Sequence, residues 1–309
     1  MKKLFLLTML FAICLMLGPV EAKADSRFPS DNPDLQVLID NAPEGGKIIV
    51  EPGVYNMGTH HIRITKNLTL ESQSGAELTV LEFPPSHDFG ILVTSGNKIT
   101  STIRGLTIRN GFITSNYGAS PTIENNIFKS SNAVCTQPSR TPPITIPEPI
   151  IQYNIFTGSY PPFNGVFIAE GCRAIFRHNT IAKADFGNPE VYLIRVRTDN
   201  DKEIPLIYNN IMWGNSSINP IYLYGDATKA SIAYNIIEGG YAKGINNIDL
   251  DPMFVNMSAG DFRLKEGSPA HQMALFSKIE VDDYDSPKEV GAKQGIVGPR
   301  RSCRNCQLQ

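Results

Sequence analysis

The sequence predicts an all-β solenoid that begins with one short capping helix. Three observations predict it. A hexapeptide with asparagine in a fixed slot recurs along the middle of the chain. A short apolar strand recurs between its copies. The stretches joining the two are too short for helices of ordinary length.

The first 24 residues are read apart from the fold. "MKK" is a basic start, "LFLLTMLFAICLML" is a short apolar core, and "AKA" (Ala22–Ala24) has the form of a cleavage site. The apolar run is too short to span a bilayer, so residues 1–24 are expected to be a secretory signal peptide and the mature chain to begin at Asp25. Lys2, Lys3, Lys23 and Glu21 leave with it, which leaves 25 basic and 29 acidic residues. That balance gives no basic footprint for a nucleic-acid partner. No second long apolar run is present, so no membrane span is expected after cleavage. The protein is expected to be secreted or periplasmic, and monomeric.

Pro33 and Asp34 open the capping helix, and Leu35, Leu38, Ile39 and Ala42 recur on one face of it. This helix should lie over the first coil. "GG" (Gly45–Gly46) ends it, and "KIIVEPGVY" begins the first strand.

The coils follow. Leu206–Asn215 reads "LIYNNIMWGN", with two amides inside an apolar run. A buried amide without partners costs roughly 1–3 kcal/mol. The stretch is not unique: "IENNIF" at Ile123, "IQYNIF" at Ile151, "FRHNTI" at Phe176 and "IAYNII" at Ile232 share its form. Asn126, Asn154, Asn179, Asn210 and Asn235 fill one slot, at spacings of 28, 25, 31 and 25 residues. An earlier copy, "IRGLTI" at Ile103, has Leu106 there. Stacked parallel coils place equivalent residues one above another, about 4.8 Å apart. Asparagine in one slot then becomes a ladder in which each amide bonds the next. Asparagine also tolerates the left-handed backbone of a tight bend, so the ladder residue is expected to supply the bend as well. Asn209 occupies the preceding slot, shared with Asn125, Tyr153, His178 and Tyr234. That row is expected to face solvent, so Asn209→Ala should do little.

The second repeated element is "GILVT" at Gly90, "GVFIA" at Gly165, "EVYLI" at Glu190 and "PIYLY" at Pro220. If Val166, Ile168, Val191, Leu193, Ile221 and Leu223 point inward, period-2 alternation turns Phe167, Tyr192 and Tyr222 outward. Leu92 starts that row, and Tyr224 lies one step along. An outward aromatic column is a platform on which sugar rings stack; the opposite parity makes it a core stack. Toward the end, "DPMFV" and "GDFRLKEGSPA" hold short strands divided by turn residues. The expected organisation is a signal peptide over residues 1–24, one domain over 25–275 and a charged tail over 276–309.

These motifs together resemble the pectin-lyase-like right-handed parallel β-helix proteins. The resemblance rests on "LIDNAPEGGKIIVEPGVY", the five asparagine repeats, "IRGLTIRNG" and the closing "DPMFV" and "GDFRLKEGSPA", and covers residues 34–274. It implies a single-stranded right-handed parallel β-helix, with the closing motifs as the terminal coil and substrate lying along the sheet that carries the second repeated element. The family holds lyases, hydrolases, epimerases, esterases and adhesins, so fold alone leaves the chemistry open. The resemblance implies polysaccharide along that sheet, and the outward aromatic column then makes Phe167, Tyr192, Tyr222 and Tyr224 its expected contacts.

For catalysis the residues are less specific. A lyase on a uronic-acid polymer needs cations or Ca²⁺ at the carboxylate and a base at the proton; Arg195 and Arg177 are the candidates for the base. Ca²⁺ needs clustered oxygen ligands, and no metal site is assigned. Asp199–Glu203 ("DNDKE") reads as a solvated loop, "THH" (Thr59–His61) as surface, and Glu170 with Arg195 as a surface ion pair. Asp226 is near the same sheet. A hydrolase needs paired carboxylates, and the polygalacturonase-like paired aspartates are absent. "CRNC" (Cys303–Cys306) lacks the partner ligands of a zinc site, and pairing among Cys135, Cys172, Cys303 and Cys306 stays open. The competing reading is a non-catalytic carbohydrate-binding or surface solenoid.

Overall fold

The computed structural model describes residues 25–94, 99–136, 145–160, 165–198, 203–217, 219–225 and 231–271. The expected signal segment, the charged tail with Cys303 and Cys306, residues 199–202 of the acidic insertion and Asp226 lie outside them.

The chain winds through three parallel sheets of nine, eight and seven strands. One coil shows the rule. Thr102–Arg104 joins the nine-stranded sheet, Thr107–Arg109 the eight-stranded sheet and Phe112–Asn116 the seven-stranded sheet. Thr122–Glu124 then starts the next coil directly above Thr102–Arg104. This is a parallel β-helix, as the repeats predicted. Each strand is too short to bury an apolar face alone, and stacking makes the inner columns continuous. Phe128 stacks on Phe156 at 4.5 Å, and Phe176 on Phe167 at 4.5 Å, within that interior. Full burial of such side chains stabilises by roughly 1.5–3 kcal/mol each.

The asparagine slot lies at the corner between the nine- and eight-stranded sheets. Asn126 Nδ2 donates to Asn154 Oδ1 at 3.1 Å, Asn154 to Asn179 at 3.0 Å, Asn179 to Asn210 at 3.1 Å and Asn210 to Asn235 at 2.9 Å. Each Oδ1 also accepts the backbone N–H of the residue below it, beginning with Leu106 on Asn126. The second Nδ2 proton goes to a carbonyl of the preceding coil, as from Asn210 to Phe176 at 2.9 Å. A sixth rung, Asn247, accepts from Asn235 at 2.9 Å only 12 residues later. Its spacing kept it out of the repeat pattern.

The bend is made by the residue before each rung, which corrects the expectation that one asparagine does both jobs. Asn125, Tyr153, His178, Asn209, Tyr234 and Asn246, and Gly105 ahead of Leu106 in the same slot, all have φ between 52° and 70°. They are corner residues with left-handed backbone rather than outward strand residues, and Asn209 and His178 are buried. None of the ladder asparagines has a positive φ, so the turn falls to its neighbour.

Helix α1 (Leu35–Asn41) covers the first coil, as predicted. Asp34 Oδ1 caps its N-terminus by accepting from Gln36 and Val37 N–H. Lys66 Nζ donates to the Asp40 and Ala42 carbonyls at 2.8 and 2.9 Å, closing the other end. Leu35, Leu38, Ile39 and Ala42 are buried beneath it.

The closing motifs are not the terminal coil. Phe254–Asn256 and Asp261–Leu264 form an antiparallel hairpin. Phe254 and Phe262 pack with Ile155, Ala182, Ile211 and Ile236 in a second apolar cluster. These aliphatic residues alternate with the inner column of the eight-stranded sheet and so belong to its outer face. An apolar outer stripe must be covered, and the hairpin covers it. Coil stacking continues instead through bridges from Ala233 to Ile245 and from Ile236 to Ile248.

Two substitutions test the corner. Asn210→Ala orphans the Asn179 amide donors and the Phe176 carbonyl, and is expected to cost about 3 kcal/mol or more in denaturant unfolding. Asn209→Ala is expected to cost about 1 kcal/mol for forcing alanine into left-handed backbone, while Asn209→Gly is tolerated. Equal behaviour of Ala and Gly at 209 would remove the backbone explanation.

Candidate functional site

Register decides which side chains leave the seven-stranded sheet. Phe167 pairs with Ile194 and Ile221, and Ile168 with Arg195 and Tyr222. One outward row therefore runs Leu92, Thr114, Val134, Ile168, Arg195, Tyr222. The next outward row is Thr94, Asn116, Thr136, Glu170, Arg197, Tyr224.

Phe167 is not on the outside. It is 0% exposed and stacks on Phe176, so its assignment as a sugar contact is withdrawn, and Ile168 takes the outward position. The cause is the bend where the chain enters the seven-stranded sheet. Val166 precedes the strand and is also fully buried, so two successive side chains face the core there. Alternation holds inside a strand, and counting from Val166 started it one residue early. Leu193 and Ile194 are likewise buried in succession. Ile221 and Leu223 do face the core as expected.

Tyr192, Tyr222 and Tyr224 do come together on the outer side, contributed by two adjacent strands, Tyr192–Thr198 and Asn219–Gly225. Tyr192 and Tyr222 stack at 4.4 Å with 24° between planes, and Tyr222 and Tyr224 at 5.3 Å with 19°. Tyr222 thus has a ring neighbour on each face. It is 39% exposed, and what it offers outward is an edge and a hydroxyl rather than a flat platform.

Charge surrounds the stack. The Arg195 guanidinium carbon lies 5.9 Å from the Tyr224 ring centroid, a cation–π arrangement. The Tyr224 hydroxyl donates to Glu170 Oε1. Glu170 is in register with Arg197 rather than with Arg195, with which it was expected to pair. Arg197 was missed from the sequence; it lies two residues beyond Arg195 on the same strand face, and alternation points to it. Partial burial, then the hydrogen bond and charge of Glu170, raise the Tyr224 pKa, with Arg195 opposing. A phenol so held stays protonated at neutral pH. In this arrangement the Tyr224 hydroxyl is the donor to Glu170.

Arg177 stands elsewhere, on the outer face of the nine-stranded sheet. There it belongs to a polar ladder. Arg104 bonds Glu71 and approaches Glu124 at 3.8 Å, Gln152 donates to Glu124 at 2.8 Å, and Arg177 donates to Gln152 at 2.9 Å and to the Tyr208 hydroxyl at 3.0 Å. Arg177 and Arg195 are therefore not brought together, and the geometry assigns Arg177 to holding coils in register. His178 lies against Tyr153 at 5.1 Å at the corner. His61, counted as surface, packs between the Phe89 and Phe112 rings at 5.5 and 5.8 Å, and burial lowers its pKa.

Among the described residues no three His, Cys, Asp or Glu side chains gather as a metal site. None of the described helices is long and apolar enough to cross a membrane. No protein-family model matches the chain, and no curated protein matches it by sequence.

The Tyr224–Glu170 bond has a pH signature. A phenol pKa raised by folding contributes stability that is complete below the unfolded value of about 10 and is lost as pH rises from there through the folded value. Difference ultraviolet titration of wild type against Tyr224→Phe is expected to place the Tyr224 transition above about pH 10. Glu170→Gln should move that transition down. No movement would mean that the carboxylate does not hold the phenol.

Proposed function

We propose that this is an exported β-helix protein that engages polysaccharide on the outer face of its seven-stranded sheet. The observation that carries the reading is the stacked Tyr192–Tyr222–Tyr224 group beside Arg195, Arg197 and Glu170. Tyrosine edges and hydroxyls with guanidinium donors suit a hydroxyl-rich, carboxylate-bearing polymer: phenol hydroxyls bond sugar hydroxyls, and guanidinium groups take carboxylates two bonds at a time.

Binding without cleavage is the reading the geometry favours. Tyr224 is held protonated, and Arg177, one of the two candidate bases, is engaged in another sheet. If the protein is a polysaccharide lyase, Arg195 is the group placed to act on the proton, with Tyr192 and Tyr222 holding the sugar. The signal peptide and the secreted or periplasmic location are part of the same proposal, and so is membership of the pectin-lyase-like group.

The test uses pectate, alginate, chondroitin and heparin-type polymers, with and without Ca²⁺. At least one polymer is expected to bind, with Tyr192→Ala plus Tyr222→Ala weakening it roughly tenfold or more. Tyr222→Phe separates the hydroxyl from the ring. Absorbance of unsaturated ends reports elimination: its appearance in wild type and loss in Arg195→Ala would establish the lyase reading in place of simple binding. Unchanged affinity in the double variant would discard the tyrosine site.

A further inference from the structure

Two buried cysteines lie in contact across successive coils. Cys135 belongs to the strand Asn132–Thr136 and faces the interior of the seven-stranded sheet. It pairs in register with Ala169 of the next coil, and Cys172 follows three residues later. Cys172 Sγ lies 3.6 Å from the Cys135 carbonyl oxygen, and both side chains are free thiols in this structure. Both are fully buried. Between Ala169 and Cys172 the chain passes Glu170, which holds the Tyr224 hydroxyl, and Gly171, whose φ of 67° makes the turn.

We infer that Cys135 and Cys172 form a disulfide that ties one coil to the next directly behind Glu170. The chemistry balances with a small-molecule disulfide such as oxidised glutathione. One cysteine thiolate attacks it, forming a mixed disulfide and releasing one small thiolate. The second cysteine thiolate then attacks the protein sulfur of that mixed disulfide and releases the other. The protein thiols are oxidised by two electrons, the small disulfide is reduced to two thiols, and the two thiol protons pass to those leaving groups. Burial and the neighbouring Cys172 push the Cys135 thiol well up, so the folded, reduced pair is a poor nucleophile. The bond therefore forms while the coils are closing, before the sulfurs are sealed from solvent. The link closes a loop of 37 residues in sequence, which restricts the unfolded chain. This inference does not depend on the polysaccharide reading.

The test refolds reduced, denatured full-length protein in a glutathione redox buffer, alkylates remaining thiols in denaturant, digests, and maps linked peptides by mass. The expected product is a peptide pair joining Cys135 to Cys172 that disappears on reduction. The thermal midpoint of the refolded protein should fall on adding reductant, and that of Cys172→Ser should not respond. Recovery of both cysteines alkylated, or linked instead to Cys303 or Cys306, would overturn the assignment. So would an identical response to reductant in wild type and Cys172→Ser.

Discussion

An asparagine side chain has two donor protons and an acceptor with two lone pairs, and the ladder here uses all of them. On the interior rungs each Oδ1 accepts a backbone N–H and a side-chain N–H from the coil below, and each Nδ2 reaches the next rung and a carbonyl of the preceding coil. The corner of a β-helix breaks sheet hydrogen bonding on every coil while remaining inside the protein. A chain of amides restores the missing partners with one residue per turn. The coil-to-coil register of all three sheets passes through this corner, so the inward columns, the outward rows and the position of the tyrosine group depend on it.

Bends between the sheets also explain why strand parity is harder to read than strand existence. Rungs are preceded by left-handed residues as different as asparagine, tyrosine and histidine. Their common property is a backbone angle, not a side-chain type. At the entrance to the seven-stranded sheet, Val166 and Phe167 are both buried, so the alternation begins at the bend rather than at the first apolar letter. The effect on the candidate site is direct: Phe167 moves into the core stack, and the outward group consists of three tyrosines from two coils rather than one aromatic from each of three.

The outer faces of the three sheets have different tasks. The nine-stranded sheet carries an alternating row of charges and amides from Glu71 to Tyr208 in which Arg177 is one link. The eight-stranded sheet carries an aliphatic stripe under the returning hairpin. The seven-stranded sheet keeps tyrosine, arginine and glutamate side chains accessible near its last strand. A face occupied by its own ladder or covered by its own hairpin has less to offer a long ligand, which leaves the seven-stranded sheet as the functional candidate.

The sequence by itself determined the repeat, the strands, the five-rung ladder and the capping helix, because each follows from a local pattern that stacking converts directly into contacts. Tyr192, Tyr222, Tyr224 and Arg195 were legible for the same reason: they lie on the recurring strand. Only the tertiary structure decided the rest. Asn247 is a rung although its spacing breaks the period, since what matters is height along the stack rather than distance along the chain. The tyrosines stack on one another, with Tyr222 against both Tyr192 and Tyr224, although register sets Tyr222 opposite Arg195 and Tyr192 opposite Asn219. Cys135 and Cys172, separated in sequence by a whole coil, meet because one coil closes over the next. Sequence spacing records how far the chain travels, whereas these contacts depend on where it returns, and loop length separates the two.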